Sequence, residues 1–207
     1  MSVVEPRRGI KPAFTPFEVF GTLYLLYKSV KGVGRPTLMR LLGLGEASTR
    51  TLLRRLSEAG IIMSRGYGFM VTERGRRIIE FISNHITLAE KLPRDEVCDG
   101  CSLSGIVVRP PLSSELRQRH VLDVRDAVVR EGARGALVVV SEDGQLFLPL
   151  PGGGRGDVPQ RLAQALSAVM NEGDVAVLSI CDVPASRLCT RIAFNAVFRL
   201  LSERCGL

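Results

Sequence analysis

Seven arginines and no lysine lie between Glu46 and Arg77, in a stretch that also contains regularly spaced leucines. A guanidinium group is a planar donor that binds phosphate oxygens, and its parallel N–H groups also match the O6 and N7 acceptors of guanine. The chemistry that these residue types favour is therefore the recognition of a nucleic acid.

The first half of this stretch has the spacing of an amphipathic helix from about Glu46 to Ala59, which Gly60 ends. The inner stripe of the helix consists of Leu52, Leu53, Leu56 and Ala59. The outer face carries Thr51, Arg54, Arg55 and Glu58. The spacing therefore predicts that the arginines of this helix face outward.

Further helices and a hairpin are predicted on either side of this helix. Thr15, Pro16 and Glu18 form a capping signal that begins a first helix, and Pro36 opens a second, short one. Two apolar segments flank a glycine-containing loop, which is typical of a β-hairpin. The remaining elements are the short helix through Leu42, strands at Ile61–Met63 and Phe69–Val71, and a fourth helix from Thr72 to about Leu88.

Two quoted segments carry a resemblance to a known family. The segment "RPTLMRLLGLGEASTRTLLRRLSEAGII" resembles the short helix, tight turn and recognition helix of archaeal-type winged helix-turn-helix transcriptional regulators. The segment "GFMVTERGRRII" resembles the strand that returns from the wing into the following helix. The resemblance covers Phe17 to about Asn84, which is less than half of the chain.

The resemblance implies that the third helix enters the major groove of duplex DNA and that the hairpin contacts the adjacent backbone or minor groove. It implies that Arg50 reads guanine and that the other exposed arginines contact phosphates. The alternative is a solvated helix face on which Arg54 pairs with Glu58. The expected DNA-binding residues are Arg35, Arg40, Glu46, Ser48, Arg50, Thr51, Arg54, Arg55 and Arg65, with Tyr67 either stacked in a groove or packed on the hairpin.

The positive charge of the chain is concentrated in its N-terminal half. Residues Met1 to Val97 contain sixteen lysines and arginines against nine aspartates and glutamates, whereas Cys98 to Leu207 contain twelve of each. A basic half joined to a neutral half predicts an anionic partner for the first domain only.

The second half alternates strands and helices in the order βαββαβα, and Glu142-Asp143-Gly144 is predicted to be a hairpin turn between two of the strands. This order predicts an α+β fold with a mainly antiparallel sheet in two layers, with the helices on one face. The predicted domains are residues 1–90 and 98–207, with a linker at 91–97. A long C-terminal helix with many apolar residues predicts that the second domain forms a homodimer. The overall plan resembles regulators that join a winged helix to a small effector domain, which implies that the second domain dimerises, binds a small-molecule effector, or does both.

The cysteines and one glycine-rich segment are further candidate sites. Cys98 and Cys101 form a single C-x-x-C pair, for which zinc ligands, a redox pair and ordinary thiols all stay open. Five cysteines is an odd number, which argues against a disulfide framework. The glycine-rich segment 151–157 is either a flexible loop or a small-ligand site, in which Arg155 is the candidate ligand-binding residue. No other cofactor is expected.

The sequence also indicates what the protein is not expected to be. No apolar run approaches the roughly 20 residues of a membrane-spanning helix, so we expect a cytoplasmic protein without membrane contact. No catalytic constellation is recognisable, so we do not expect an enzyme. The predicted function is a sequence-specific DNA-binding transcriptional regulator. The alternative is a winged helix that binds RNA or protein, joined to an α+β domain with a nucleotide- or RNA-related role.

Overall fold

The computed structural model describes residues 3–4, 13–66, 68–182 and 186–204. The chain divides into two compact units, Met1–Ser83 and Asn84–Gly206. Both units contain helices, and the strands of both sheets pair in the antiparallel direction. The protein is therefore a mixed α+β protein. No helix in the described ranges is long and apolar enough to cross a membrane.

The N-terminal unit consists of three helices, a two-stranded hairpin and a fourth helix. Its first helix begins as the capping signal predicts, because the backbone N–H of Thr15 donates to the Glu18 carboxylate at 2.7 Å. The elements are α1 (Pro16–Lys28), α2 (Arg35–Leu42), α3 (Glu46–Glu58), β1 (Ile62–Arg65), β2 (Gly68–Val71) and α4 (Glu73–His85).

One apolar core holds these elements together. Leu38 of α2, Leu52 and Leu56 of α3, and Ile79 of α4 are all completely buried. Gly75 brings α4 close to the chain that precedes β1, because a Cβ atom at this position would lie 2.1 Å from the carbonyl oxygen of Ile61. The core therefore fixes which face of α3 remains outside.

The hairpin is held near its turn by a third segment of chain. Val33 and Phe69 exchange two backbone hydrogen bonds of 3.0 Å, so the segment before α2 pairs with β2. Gly68 allows this close approach, since a Cβ atom there would lie 3.1 Å from the backbone of Val33. These contacts set the position of the hairpin relative to α2.

The second unit is built on one six-stranded antiparallel sheet. The elements are β3 (Ile86–Ala89), β4 (Ser102–Val108), α5 (Leu112–Arg117), α6 (Val121–Arg130), β5 (Gly135–Glu142), β6 (Gln145–Pro149), β7 (Arg155–Asp157), α7 (Gln160–Ser167), β8 (Val175–Cys181) and α8 (Ser186–Arg204). The strand order in the sheet is β3-β4-β8-β5-β6-β7. Asp143 and Gly144 have positive φ angles in the turn between β5 and β6, which confirms the hairpin predicted there.

The boundary between the units lies earlier than the sequence predicts. The fourth helix ends at His85 and does not continue to Leu88, because Ile86–Ala89 pair with β4 as an edge strand. Ile86 and Ala89 are buried, and their spacing of three residues fits either a helix or the ends of a short strand. The predicted linker at 91–97 is therefore a loop between β3 and β4 inside the second unit.

Helices cover both faces of the sheet, not one face as predicted. Leu162 and Leu166 of α7 pack in one cluster with Leu103 and Val107 of β4. Successive side chains of a strand point to opposite faces, and all seven residues of β4 are buried. Helix α8 packs against β4 and β8 and contributes no residue to the α7 cluster, so it lies on the opposite face. The predicted two-layer arrangement is wrong in this respect.

Candidate nucleic-acid interface

Helix α3 presents a narrow charged strip to solvent. The helix begins directly after Gly45 and buries Leu52, Leu53 and Leu56 in the core of the N-terminal unit. One face of the helix is therefore fixed inward, and the opposite face is open. We call this face the α3 strip and define it as Glu46, Arg50, Arg54 and Glu58, all of which are exposed.

The charges of the α3 strip are paired along the helix. Arg50 Nη2 donates to Glu46 Oε1 at 2.6 Å, and Arg54 Nη1 donates to Glu58 Oε1 at 2.9 Å. The two arginine side chains are 65% and 55% exposed. Exposed pairs of this kind contribute about 0.2–1 kcal/mol, so either arginine can leave its partner at low cost. The Arg54–Glu58 pair is the one that the sequence suggested.

Arg55 does not belong to the α3 strip, so the prediction that it faces outward is wrong. Its side chain is only 5% exposed. The guanidinium group donates from Nη1 to the carbonyl oxygen of Val3 at 2.7 Å and lies 5.8 Å from the centroid of the Phe14 ring. Arg55 is three residues after Leu52 and adjacent to Leu56, so it flanks the buried stripe, and its long apolar stem packs there.

A groove of about 570 Å³ separates the start of α3 from the hairpin. Arg35 Nη1 lies 3.8 Å from Glu46 Oε1 at one wall, so one carboxylate faces both Arg35 and Arg50. Phe69 supplies part of the apolar lining. The lining residues are Arg35, Pro36, Met39, Glu46, Ser64, Gly66, Gly68 and Phe69.

The other expected residues have varied exposure. Arg65, at the end of β1, and Arg40, on α2, are exposed. Ser48 and Thr51 are half-buried, and the Thr51 hydroxyl donates to the carbonyl oxygen of Ala47 at 2.9 Å. Tyr67 lies outside the described residues. Exposed arginines that can bind an anion therefore lie on α2, α3 and the hairpin: Arg35, Arg40, Arg50, Arg54 and Arg65.

The N-terminal unit is strongly basic as a whole. Met1–Ser83 contain fourteen lysines and arginines against six aspartates and glutamates, so the formal charge of this unit is +8. Asn84–Gly206 contain fourteen against fifteen, so the second unit has a formal charge of −1. When the chain is divided after Ser83, the difference in charge between the two parts is larger than when it is divided after Val97.

A second basic cluster surrounds Tyr27, which the sequence reading did not single out. The Lys28 ammonium lies 6.0 Å and the Arg76 guanidinium 5.8 Å from the centroid of the Tyr27 ring. The Tyr27 hydroxyl donates to Glu80 Oε1 at 3.1 Å. This hydrogen bond, together with the negative charge of Glu80, raises the pKa of Tyr27 above its ordinary value. The run of arginines at the start of α4 is the feature of the sequence from which this cluster could have been predicted.

The two cysteines of the C-x-x-C motif, for which the sequence leaves zinc ligands, a redox pair and ordinary thiols open, lie close together. Cys98 and Cys101 form a disulfide with each other, and Cys181 and Cys189 form another. Within the described ranges, no three histidine, cysteine, aspartate or glutamate side chains converge as metal ligands. The Cys98–Cys101 pairing matches the redox pair that the sequence left open beside zinc and ordinary thiols. The expectation that an odd cysteine count argues against disulfides is wrong, since four of the five cysteines pair.

Arg155 is held by neighbouring side chains on its own sheet. Its guanidinium pairs with Glu142 and Asp143 and lies 4.3 Å from the centroid of the Phe147 ring. The glycine-rich segment is a turn between β6 and β7, with Pro149 opposite Arg155, and it does not lead directly into a helix. The loop therefore lacks the strand-to-helix geometry that cradles phosphate.

Comparisons with known proteins agree with the fold and leave the activity open. The model of a domain of unknown function, DUF4443, matches residues 104–200, within the second unit. The solved structure of a hypothetical protein from Pyrococcus horikoshii OT3 is similar to this chain with a TM-score of 0.63 and 24% sequence identity. The similarity covers 92% of this chain and 94% of that chain. No curated protein matches.

Proposed function

We propose that the protein is a sequence-specific DNA-binding transcriptional regulator whose N-terminal unit is a winged helix-turn-helix that binds duplex DNA. The order of three helices, a hairpin and a fourth helix is that of the winged helix. The observation that carries the proposal is the set of exposed arginines on α3, α2 and the hairpin of a unit with a formal charge of +8. A protein surface with this charge attracts the phosphate backbone at long range.

The expected docking places α3 in the major groove, which is about 12 Å wide and admits one helix. Arg50 lies one turn into α3, where a recognition helix contacts base edges, and it donates two parallel hydrogen bonds to guanine. Arg54 lies one turn further along, and Arg65 lies on the hairpin, so both contact phosphates. Arg35 and Arg40 add backbone contacts from α2.

The ion pairs of the α3 strip are compatible with this docking. Each exposed pair contributes little to stability, whereas a guanidinium that binds phosphate also releases a condensed counterion. The exchange of Glu58 for a phosphate at Arg54 is therefore favourable, and Arg50 exchanges Glu46 for the two acceptor atoms of guanine. After the exchange, the carboxylates of Glu46 and Glu58 lie near the negatively charged phosphates.

The second unit is proposed to form a homodimer and to bind a small-molecule effector. The apolar residues of the C-terminal helix, from which the sequence predicts a dimer, do not form a free surface. Ile192, Val197 and Leu200 are buried within their own unit. Exposed apolar residues on α6 and α8 support the dimer instead, because the side chains of Leu122, Val129 and Phe198 are each more than a third exposed. A twofold dimer would match an operator with two half-sites about one helical turn apart.

A salt titration tests the proposal. Binding of the full-length protein to a random duplex and to a duplex selected from a random pool is measured by fluorescence anisotropy over a range of salt concentrations. We expect Arg54→Ala and Arg65→Ala each to reduce the log–log salt slope by about 0.9. Arg125→Ala on α6 is the matched control and should leave the slope unchanged. Equal slopes for all four proteins would contradict the proposal.

One observation favours a second candidate function. The α3 strip contains two arginines and two glutamates, so its own charge is balanced, which suits a polar protein surface or a structured RNA as well as a duplex. In that case the winged helix binds RNA or protein, and the second unit has a nucleotide- or RNA-related role. Competition between structured RNA and duplex DNA of equal charge distinguishes the two functions, because a regulator prefers the duplex.

A further inference from the structure

Glu46 is the acidic residue at the centre of the proposed interface. It is the first residue of α3, and its side chain is 60% exposed. Its carboxylate faces Arg50 at 2.6 Å and Arg35 at 3.8 Å, and it also lines the groove beside the hairpin. Two guanidinium groups from two different helices therefore orient one carboxylate at the entrance to this groove.

A carboxylate at this position weakens non-specific binding to DNA. When α3 approaches a duplex, Glu46 enters the field of the phosphates, and its charge is repelled at every sequence alike. The repulsion is offset only where a hydrogen-bond donor faces the carboxylate. In the major groove the exocyclic N4 amino group of cytosine is such a donor, and it pairs naturally with a glutamate.

We propose that Glu46 is a specificity-determining residue that accepts a hydrogen bond from cytosine N4 while Arg50 donates to the guanine of a neighbouring base pair. The inference rests on the proposed function. Arg50 and Glu46 lie four residues apart on the same face of α3, so they address adjacent base pairs, and the free protein holds them in contact before binding. Arg35, released from Glu46, then turns to the phosphate backbone beside the groove.

A purely structural role for Glu46 predicts different behaviour. A carboxylate at the first residue of a helix interacts favourably with the helix dipole, and neutralising it weakens the helix slightly. Such a role would change the affinity for all duplexes by the same factor. A reading role changes the affinities for the selected and the random duplex by different factors, so that the preference between them falls.

The test compares Glu46→Gln with wild type in the full-length protein. The amide keeps the length of the side chain and removes its charge. We expect Glu46→Gln to bind a random duplex about threefold to tenfold more tightly than wild type, because one repelled charge is gone. We expect the preference for the selected duplex over the random one to fall at least tenfold, because the contact with cytosine is weakened.

A base substitution and a matched variant complete the experiment. Replacing the contacted C·G pair by T·A in the selected duplex should weaken wild-type binding at least tenfold and weaken Glu46→Gln binding by less than twofold. Glu58→Gln makes the same change of charge at the other end of α3, where Glu58 pairs with Arg54. It should tighten binding to the random duplex and leave the base preference intact.

The outcomes separate this inference from the proposed function. If wild type binds no duplex in preference to structured RNA, the proposed function fails. If wild type binds duplex DNA but Glu46→Gln changes the selected and random affinities by the same factor, the proposed function stands and the reading role of Glu46 is overturned. Unfolding curves of both variants confirm that the comparison concerns folded protein.

Discussion

The guanidinium of Arg55 lies 5.8 Å from the centroid of the Phe14 ring and donates to the backbone of Val3, while the adjacent Arg54 points to solvent. Two consecutive arginines of one helix therefore have different roles. The difference arises because Phe14 and Val3 contact Arg55, which lies about 100° around the helix from Arg54.

The first prediction separates these two roles. Arg55→Ala should lower the free energy of unfolding by about 2 kcal/mol, because it removes a buried stem and leaves the Val3 carbonyl without its donor. Arg54→Ala should change stability by less than about 0.5 kcal/mol and should weaken binding to duplex DNA. Denaturant unfolding and anisotropy on both variants check this, and a loss of stability in Arg54→Ala equal to that in Arg55→Ala would contradict it.

The second prediction concerns the pH dependence at Tyr27. The hydrogen bond to Glu80 raises the pKa of Tyr27, so the folded protein holds the phenolic proton more tightly than the unfolded chain. The stabilising contribution of this contact is complete below pH 10, the ordinary tyrosine pKa, and is lost as the pH rises through the higher folded value.

Glu80→Gln should lower the pKa of Tyr27, because the amide still accepts the hydrogen bond but no longer repels the phenolate. An ultraviolet titration of tyrosine ionisation measures the change, and Tyr27→Phe identifies the transition among the three tyrosines. A Tyr27 pKa that is the same in wild type and Glu80→Gln would show that Glu80 does not control this group.

The third prediction concerns the disulfides. Unfolded protein that has not been reduced should titrate with about one thiol, and reduced protein with five, since four of the five cysteines are paired. Cys189→Ser should lower the free energy of unfolding by about 2–3 kcal/mol, because the bond to Cys181 closes a short loop in the unfolded chain. Five thiols in the protein as isolated would contradict this pairing.

Local signals in the sequence predicted most of the elements. Each of these signals acts within a few residues, so the local structure that it forms can be predicted from the sequence alone. Examples are the capping residues of α1, the leucine stripe of α3 and the Asp143-Gly144 turn. The exposure of Arg50 and Arg54 also follows from the helical repeat.

Features that depend on distant parts of the chain were not predictable in this way. Strand β3 forms because β4 offers it a partner, and its four residues also fit the end of a helix. The pairing of Arg50 with Glu46 follows from local spacing, but the approach of Arg35 depends on the packing of α2 against α3. Arg55 is buried because Phe14 and Val3 come from elsewhere in the chain.

The edge strand β3 has a practical consequence for anyone who divides this protein into pieces. The stretch 104–200 begins inside β4, and a fragment cut at Cys98 would also lack Ile86–Ala89. Such a fragment would leave one side of β4 with unpaired backbone groups and an uncovered apolar strand, which invites aggregation between copies. Expression from Asn84 onward keeps the sheet complete.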